Sequence, residues 1–318
     1  MNQWPQMNLS LHRNIKTEQM KKNILMLACL ATVLVACQKD DNLPSESTKI
    51  DALKETTNNT EVSKTAFVKK VLVEEFVGTS YGDAPEFISM LDYVIGLNPG
   101  KIIKALHHNN DILESAQTDA LVAMMSPNGY MAYPTSLIDR ASVNGFRFVG
   151  SSNSKSVINQ QLNKPAGCGI SISSTIRGNN KVYVDVDETF IAAPNTNCNV
   201  TVYLVEDQVV PSGSNNLQAN NFNNNPKSKF YNKGNPMLVY SHENVVRKCL
   251  TPAMGLPIKP GAITSGGSDH QSFLFELSSN INPANCYIIA FVSNYTNGAT
   301  AEIMNAQQAK LGTDATMN

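Results

Sequence analysis

Two patterns of apolar and polar residues follow one another along the chain. Residues 67–76 alternate and are rich in valine, which predicts a strand. Apolar residues then recur at three- and four-residue spacing over 87–95, which predicts a helix. A short apolar run at 101–106 predicts a second strand, and residues 115–125 predict a second helix. The alternating order is typical of an α/β domain.

This first pattern continues to about residue 164. A strand led by Pro134 is predicted over 132–140, another strand over 146–149, and a helix over 156–162. We therefore place one α/β domain at residues 66–164.

Strand-type alternation dominates from residue 166 onward. Residues 168–176 and 181–190 predict a hairpin. Further strands are predicted at 199–205, 244–249, 271–277 and 287–292. This spacing predicts an all-β, immunoglobulin-like sandwich over residues 165–310, followed by a tail at 311–318.

An asparagine-rich segment interrupts this second domain. Nine asparagines fall within residues 215–235, together with one proline and almost no aliphatic residues. Such a composition predicts a long exposed loop. The loop is either a binding surface or a solvated insertion, and the sequence does not separate the two.

The start of the chain has the features of a secretory leader. Two lysines precede an apolar run at 24–36, which is too short to span a bilayer. The polar residues before Met20 fit no part of a signal peptide, so we expect translation to begin there. Residues 1–19 are then an upstream extension, and residues 20–36 are a lipoprotein signal peptide.

The apolar run ends in Leu34-Val35-Ala36-Cys37, which resembles a bacterial lipobox. In such a motif small residues admit the lipoprotein peptidase, and the cysteine thiol takes a diacylglycerol. Acyl chains on Cys37 would hold the protein in outer membrane lipid without a spanning segment. The alternative is an ordinary signal peptide whose cysteine is incidental.

The four residues after this cysteine are Gln38, Lys39, Asp40 and Asp41. They resemble the export signal that sends Bacteroidetes lipoproteins to the outer face of the outer membrane. A generic polar start to a linker is the alternative. Residues 37–65 contain few large apolar side chains to offset their ordering entropy, which predicts a flexible tether. The expected location is the outer membrane, lipid-anchored and facing the cell exterior.

The charge balance excludes one class of partner. The chain has 25 basic and 26 acidic residues, and the part from Cys37 onward has 21 and 25. A mildly acidic protein gives no electrostatic argument for nucleic acid, so we expect no such partner. The sequence also lacks a zinc-type cysteine pair, an HExxH motif and a phosphate-binding glycine loop. We expect no metal and no other cofactor.

Two segments resemble the landmarks of thioredoxin-like proteins. Residues 71–87, VLVEEFVGTSYGDAPEF, are similar to the strand that runs into Trp-Cys-x-x-Cys-Pro and a helix. Residues 131–140, MAYPTSLIDR, are similar to the cis-proline loop that faces it, with Pro134 as the proline. These segments and residues 240–247, YSHENVVR, resemble the Bacteroidetes outer-membrane lipoprotein family founded on a 28-kDa Porphyromonas surface protein. The resemblance covers about residues 66–310 and implies a thioredoxin-like N-terminal domain.

This chain departs from the thioredoxin pattern at both cysteines. Tyr81 and Ala84 occupy those positions. Thiol–disulfide exchange needs an attacking and a resolving thiol, which a phenol and a methyl group cannot supply, so we expect no redox activity there. The loop facing Pro134 would then bind an extended peptide, or Pro134 would only set the turn; we favour the latter.

Cys168, Cys198, Cys249 and Cys286 all fall in the second domain. They allow three pairings, and because the expected compartment is oxidising we predict at least one disulfide. Buried free thiols are the alternative.

Three histidines are candidates for chemistry. His107 and His108 stand near Asp111, but neighbours on a strand point to opposite faces, so we expect one packed and one solvated histidine rather than a metal site. His242 and Arg247 match the family motif; their five-residue spacing predicts opposite faces and two separate packing roles.

These observations predict a non-enzymatic, lipid-anchored surface protein. A redox-inactive thioredoxin-like domain and a sandwich would serve in binding, adhesion or envelope organisation, with a peptide or protein as the ligand. The alternative is an extracytoplasmic peptide-binding chaperone, or a thiol–disulfide enzyme that uses the second-domain cysteines.

Overall fold

A computed structural model describes residues 67–126, 131–178, 180–194, 196–295 and 301–318. All of them lie in one compact unit, Val62–Asn318. The predicted signal peptide, Cys37, the export signal and the tether lie outside the described residues.

The first half alternates strands and helices as the sequence predicts. Its elements are β1 (Val71–Val77), α1 (Ala84–Gly96), β2 (Ile102–His108), α2 (Thr118–Met125), β3 (Thr135–Ile138), β4 (Phe148–Val149) and α3 (Ser151–Leu162). Helix α1 has a proline in its first turn and buries Phe87, Leu91 and Val94. These side chains pack on Val71 and Val73 of β1. Among the described helices, none combines the length and apolar character needed to cross a bilayer.

The second half consists mainly of strands. They are β5 (Cys168–Arg177), β6 (Lys181–Phe190), β7 (Asn197–Glu206), β8 (Val245–Cys249), β9 (Leu256–Pro257), β10 (Ser268–Glu276), β11 (Cys286–Tyr295) and β12 (Ile303–Lys310). The predicted hairpin is confirmed as β5 and β6, which pair in antiparallel register from Cys168 with Phe190 to Arg177 with Lys181.

One mixed sheet connects the two halves. Its strand order is β12-β11-β7-β8-β2-β1-β3-β4, and β9 pairs with β7. Strands β1 and β2 are parallel, whereas β3 lies antiparallel to β1 and β4 antiparallel to β3. Strand β8 joins the halves because Val245 pairs with Leu106 of β2. The edge that β2 would otherwise leave open is thereby covered.

The predicted boundary between residues 164 and 165 therefore does not separate two cores. Leu72 and Ile103 from the first half share a buried cluster with Tyr203, Ile289 and Phe291 from the second. Local patterns predict β2 and β8 individually, but the sequence pattern did not indicate that they would pair.

A second, three-stranded sheet in the order β10-β6-β5 forms the other layer. Buried residues of β5 and β6 pack against Val200, Val202 and Ile288 of β7 and β11. This confirms two packed sheets, whereas their immunoglobulin-like connectivity stays a prediction.

Strand β12 was not predicted, because polar residues occupy its buried positions. The Asn305 amide donates to the Cys168 carbonyl at 2.8 Å, and the Gln307 amide donates to the Thr316 carbonyl at 2.8 Å. Both side chains thus satisfy backbone groups of neighbouring segments. The predicted tail also packs against the sheet, since Ala315 forms a bridge to Ile172 of β5.

Candidate functional site

The two positions that lack cysteine lie beside the proline loop. Ala84 is fully buried at the start of α1. The Tyr81 ring stacks on the Tyr133 ring at 4.9 Å between centroids, with the planes 1° apart. The Tyr133–Pro134 peptide bond is cis, as predicted. The structure thus brings Tyr81, Ala84 and Pro134 into one site, and an aromatic stack stands where thiol chemistry would take place.

The asparagine loop, residues 215–235, folds over this site. Its backbone donates from Ala219 to the Thr79 carbonyl at 2.8 Å and from Asn221 to the Gly82 carbonyl at 3.0 Å. The Gln218 amide donates to the Tyr81 carbonyl at 3.2 Å. The chain's own loop thus occupies these three carbonyls, so an extended peptide cannot pair with them. Tyr133 and Pro134 remain half-buried beside them.

Gly82 shows how closely the loop fits. A Cβ added to Gly82 would collide with the Asn221 side chain. The Asn221 amide also donates to the Asp83 carboxylate at 2.8 Å, next to the first turn of α1. The absence of a side chain at Gly82 therefore allows the Asn221 side chain to pack against the backbone there.

The prediction of an exposed loop is wrong for the side of the loop that faces this site. Asn220 is fully buried, and its amide donates to the carbonyls of Phe230 and Gly234 at 2.9 and 3.0 Å. The Ser228 hydroxyl donates to Glu86 of α1 at 2.7 Å. Asparagine serves here as an internal hydrogen-bonding group, which composition alone did not indicate.

His107 and His108 are both buried in the sheet. The prediction of one solvated histidine is therefore wrong. His108 Nδ1 lies 2.7 Å from the Asp111 carboxylate. The His242 ring contacts the His108 ring at 4.6 Å and the Tyr240 ring at 4.8 Å. The described residues contain no group of three or more ligands that would hold a metal ion.

Neither ring nitrogen of His242 has a hydrogen-bond partner in the described part of the chain. Burial, together with the nearby His108 ring, lowers the pKa of His242 to about 3, so the ring is neutral. His242 therefore packs as an aromatic ring. Arg247 has a separate role, as predicted, because it pairs with Glu206 at 2.7 Å.

His107 belongs to a buried polar cluster on the other face of the sheet. Its ring stacks on Phe76 at 4.9 Å, and Nε2 lies 3.7 Å from Glu74. Glu74 accepts two hydrogen bonds from Arg140, at 2.7 and 2.8 Å, and one from the Tyr203 hydroxyl at 2.9 Å. The sequence analysis missed this cluster, although Glu74 and Arg140 both lie in the thioredoxin-like segments.

All four second-domain cysteines are buried free thiols, so the prediction of a disulfide is wrong. Burial raises the pKa of Cys198 to about 11 and that of Cys249 and Cys286 to about 12. The pKa of Cys168 is raised as well, by burial and by the neighbouring Cys198. Thiols of this kind pack as small apolar groups and are poor nucleophiles.

A serine, histidine and aspartate also meet on the outer face of the three-stranded sheet. His270 Nδ1 lies 2.7 Å from Asp187, and Nε2 lies 2.9 Å from the Ser272 hydroxyl. However, that hydroxyl donates its single proton to Asp185. Because His270 cannot accept the same proton, the arrangement is a surface ion-pair network and does not activate a nucleophile.

Comparison with known proteins places these features in a family. The profile of the family described as outer membrane protein Omp28 matches residues 123–315. The chain belongs to the Omp28 family. Its members are outer membrane proteins by description. No curated protein matches the chain in sequence.

Three solved structures are similar to this member of the Omp28 family. HBP35 of Porphyromonas gingivalis is 17% identical with a TM-score of 0.61, covering 77% of this chain and 76% of that one. An Agrobacterium tumefaciens protein is 13% identical with a TM-score of 0.49, covering 80% and 99%. A domain of the outer membrane lipoprotein Omp28 from P. gingivalis is 14% identical with a TM-score of 0.29, covering 46% and 89%. At these identities the HBP35 match supports the fold alone.

Proposed function

We propose that this Omp28-family protein is a lipid-anchored outer membrane protein that acts in envelope organisation. In this proposal its thioredoxin-like half is a scaffold for the asparagine loop and has no thiol–disulfide activity. The order β2-β1-β3-β4, with β1 and β2 parallel, supports a thioredoxin-like fold. The helices agree with it, because α1 and α3 share one buried cluster with β1 while α2 packs in another.

The observation that carries this proposal is the set of hydrogen bonds that holds the asparagine loop on residues 79–83. The loop takes the backbone groups of Thr79, Tyr81 and Gly82. A peptide that pairs with these carbonyls would have to displace the loop. Loss of both thiols and coverage of the site both favour a structural role.

Thiol assays test the redox part of the proposal. We expect the native protein to reduce insulin at the uncatalysed rate, and its four described thiols to react with Ellman's reagent at least about a hundredfold more slowly than free cysteine. In urea all four should react. Insulin turnover that is lost on replacing Cys168, Cys198, Cys249 or Cys286 would instead support the thiol–disulfide enzyme.

A variant with both thiols restored distinguishes two reasons for the lack of activity, the missing cysteines and the loop that covers residues 79–83. Tyr81→Cys combined with Ala84→Cys restores both thiols under the asparagine loop, and we expect no insulin turnover from it. The matched variant adds Asn221→Ala, which removes the side chain seated at Gly82. Turnover in the double variant with the loop intact would contradict the proposed coverage.

The location is tested at Cys37. The family description supports the outer membrane, and the lipobox-like sequence supports acylation of Cys37 and an outward orientation. We expect fatty-acid label on the wild type and on Cys29→Ala, and none on Cys37→Ala. Protease treatment of whole cells should remove the wild-type protein. Undiminished label on Cys37→Ala would overturn acylation at this residue, and full protection from protease would overturn surface exposure.

A further inference from the structure

The asparagine loop and its flanks carry an unbalanced positive charge. Residues 208–242 contain three lysines and no acidic residue, although the chain from Cys37 onward is acidic overall. Lys227, Lys229 and Lys233 are all exposed. Within the described residues, no ion pair involves any of the three. Lys229 lies above the Phe230 ring, a cation–π contact that leaves its charge exposed.

The same surface exposes large apolar side chains. Leu238 is 77% exposed and Val239 is 78% exposed, the two highest values among the large apolar residues of the described chain. Phe230 and Met237 point inward and are buried, which fixes the backbone between them. Tyr231 is exposed beside the lysines. Lysines, exposed aliphatic residues and a tyrosine are thus held on an ordered support.

Helix α1 extends this apolar surface. Glu86, which accepts the hydrogen bond from Ser228, starts a stripe at three- and four-residue spacing that continues through Met90, Tyr93 and Leu97. These three side chains are 46%, 69% and 52% exposed. An apolar patch rimmed by charge marks an interaction surface.

We propose that this surface, made of the lysines, Leu238, Val239 and the α1 stripe, lies against an anionic lipid bilayer. Lysines that flank exposed aliphatic and aromatic residues suit the headgroup region, because the apolar groups enter the interface and each lysine adds electrostatic attraction. Asp83, Glu86 and Glu243 lie at the margin of this surface and keep their charge, because their donors Asn221, Ser228 and Ser241 are neutral. The attraction therefore comes from residues 227–233, where the three lysines have no acid between them.

The inference rests on the proposed lipid anchor. The 30 residues from Cys37 to Ala66 can span at most about 100 Å, so an acylated chain stays close to the membrane. Under that constraint a weak contact is enough to hold one face of the protein on the bilayer.

The fluorescence of a single tryptophan tests whether this surface contacts the bilayer. The sequence has one tryptophan, Trp4, which precedes the predicted signal peptide. Leu238→Trp is made in the acylated chain, which begins at Cys37 and therefore lacks Trp4, and is reconstituted into phosphatidylcholine vesicles with and without phosphatidylglycerol. We expect a blue-shifted emission that brominated phosphatidylglycerol quenches. Leu274→Trp is the matched control, because Leu274 is 59% exposed on the three-stranded sheet, and its emission should stay unquenched.

The charge is tested by Lys227→Gln, Lys229→Gln and Lys233→Gln together. Each lysine removed should lower the ratio of bound to free loop about fivefold, so the triple variant should lose nearly all quenching. Replacing Lys101, Lys155 and Lys181, which are also exposed, should leave it unchanged.

Flotation of the vesicles distinguishes the two levels of the proposal. A chain that floats while its Leu238→Trp indole stays in water overturns the bilayer contact and leaves the anchor intact. A chain that does not float overturns the anchor and the contact with it. A blue shift that occurs without vesicles and grows with protein concentration would overturn the bilayer contact in favour of contact between copies of this chain.

Discussion

Replacing Arg140 with methionine should lower the free energy of unfolding by about 3–5 kcal/mol, because it leaves the Glu74 carboxylate buried without its counter-charge. Both side chains are fully buried. Burial alone would raise the pKa of Glu74, but the charge and hydrogen bonds of Arg140 hold it well below its ordinary value. Glu74 therefore stays ionised, and its charge is uncompensated once Arg140 is lost.

Urea denaturation at pH 7 measures this effect. Glu74→Met combined with Arg140→Met should be more stable than Arg140→Met alone, because no buried charge remains. Arg177→Met is the control, since Arg177 is exposed and stacks on Tyr183. If the double variant is no more stable than Arg140→Met, the loss comes from packing of the arginine and not from the stranded carboxylate.

The sequence pattern located most elements of the first half, because each helix and strand there has its own apolar periodicity. It did not indicate that both faces of β1 are buried. Residues 67–76 alternate like a strand with one solvent-exposed face. However, Glu74 and Glu75 point to opposite faces and are both fully buried. Each face is covered partly by helices of this half and partly by residues more than a hundred positions later, such as Tyr203 at Glu74 and Tyr240 near Glu75. No local pattern contains that information.

The candidate site was predictable only in part. Tyr81, Ala84 and Pro134 follow from the thioredoxin-like segments, and the structure places them together. The contact of residues 215–235 with this site was not predictable, because asparagine is typical of solvated turns and its role at Asn220 depends on how the loop folds back to bring up the Phe230 and Gly234 carbonyls. The buried thiols show the same limit, since an oxidising compartment permits a disulfide but only packing decides whether one forms.

The second large effect is a pH dependence that arises from Glu75. Neither of its carboxylate oxygens has a hydrogen-bond partner among the residues that the structure describes. Burial raises the pKa of Glu75 to about 8; Lys104 on β2 acts to lower it, and Asp92 on α1 raises it. Tyr240, which follows the asparagine loop in the chain, lies within electrostatic range of the same carboxyl. In the folded protein Glu75 is therefore protonated at pH 7.

The sign of the effect follows from proton binding. Unfolding returns Glu75 to its ordinary pKa of 4.5, so between about pH 5 and pH 8 the folded state holds a proton that the unfolded state has released. The contribution of Glu75 to stability is present below pH 4.5 and is lost as the pH rises through 8. Its slope is about −1.4 kcal/mol per pH unit.

Glu75→Gln should remove this slope and gain about 4 kcal/mol on the wild type between pH 5 and pH 8. Urea midpoints across that range measure the difference. Glu276→Gln is the control, because Glu276 is exposed on β10 and should leave the slope unchanged. Glu188→Gln should remove a second slope of the same sign, since burial also raises the pKa of Glu188 to about 8. Parallel stability profiles for the wild type and Glu75→Gln would mean that Lys104 holds Glu75 ionised in the fold.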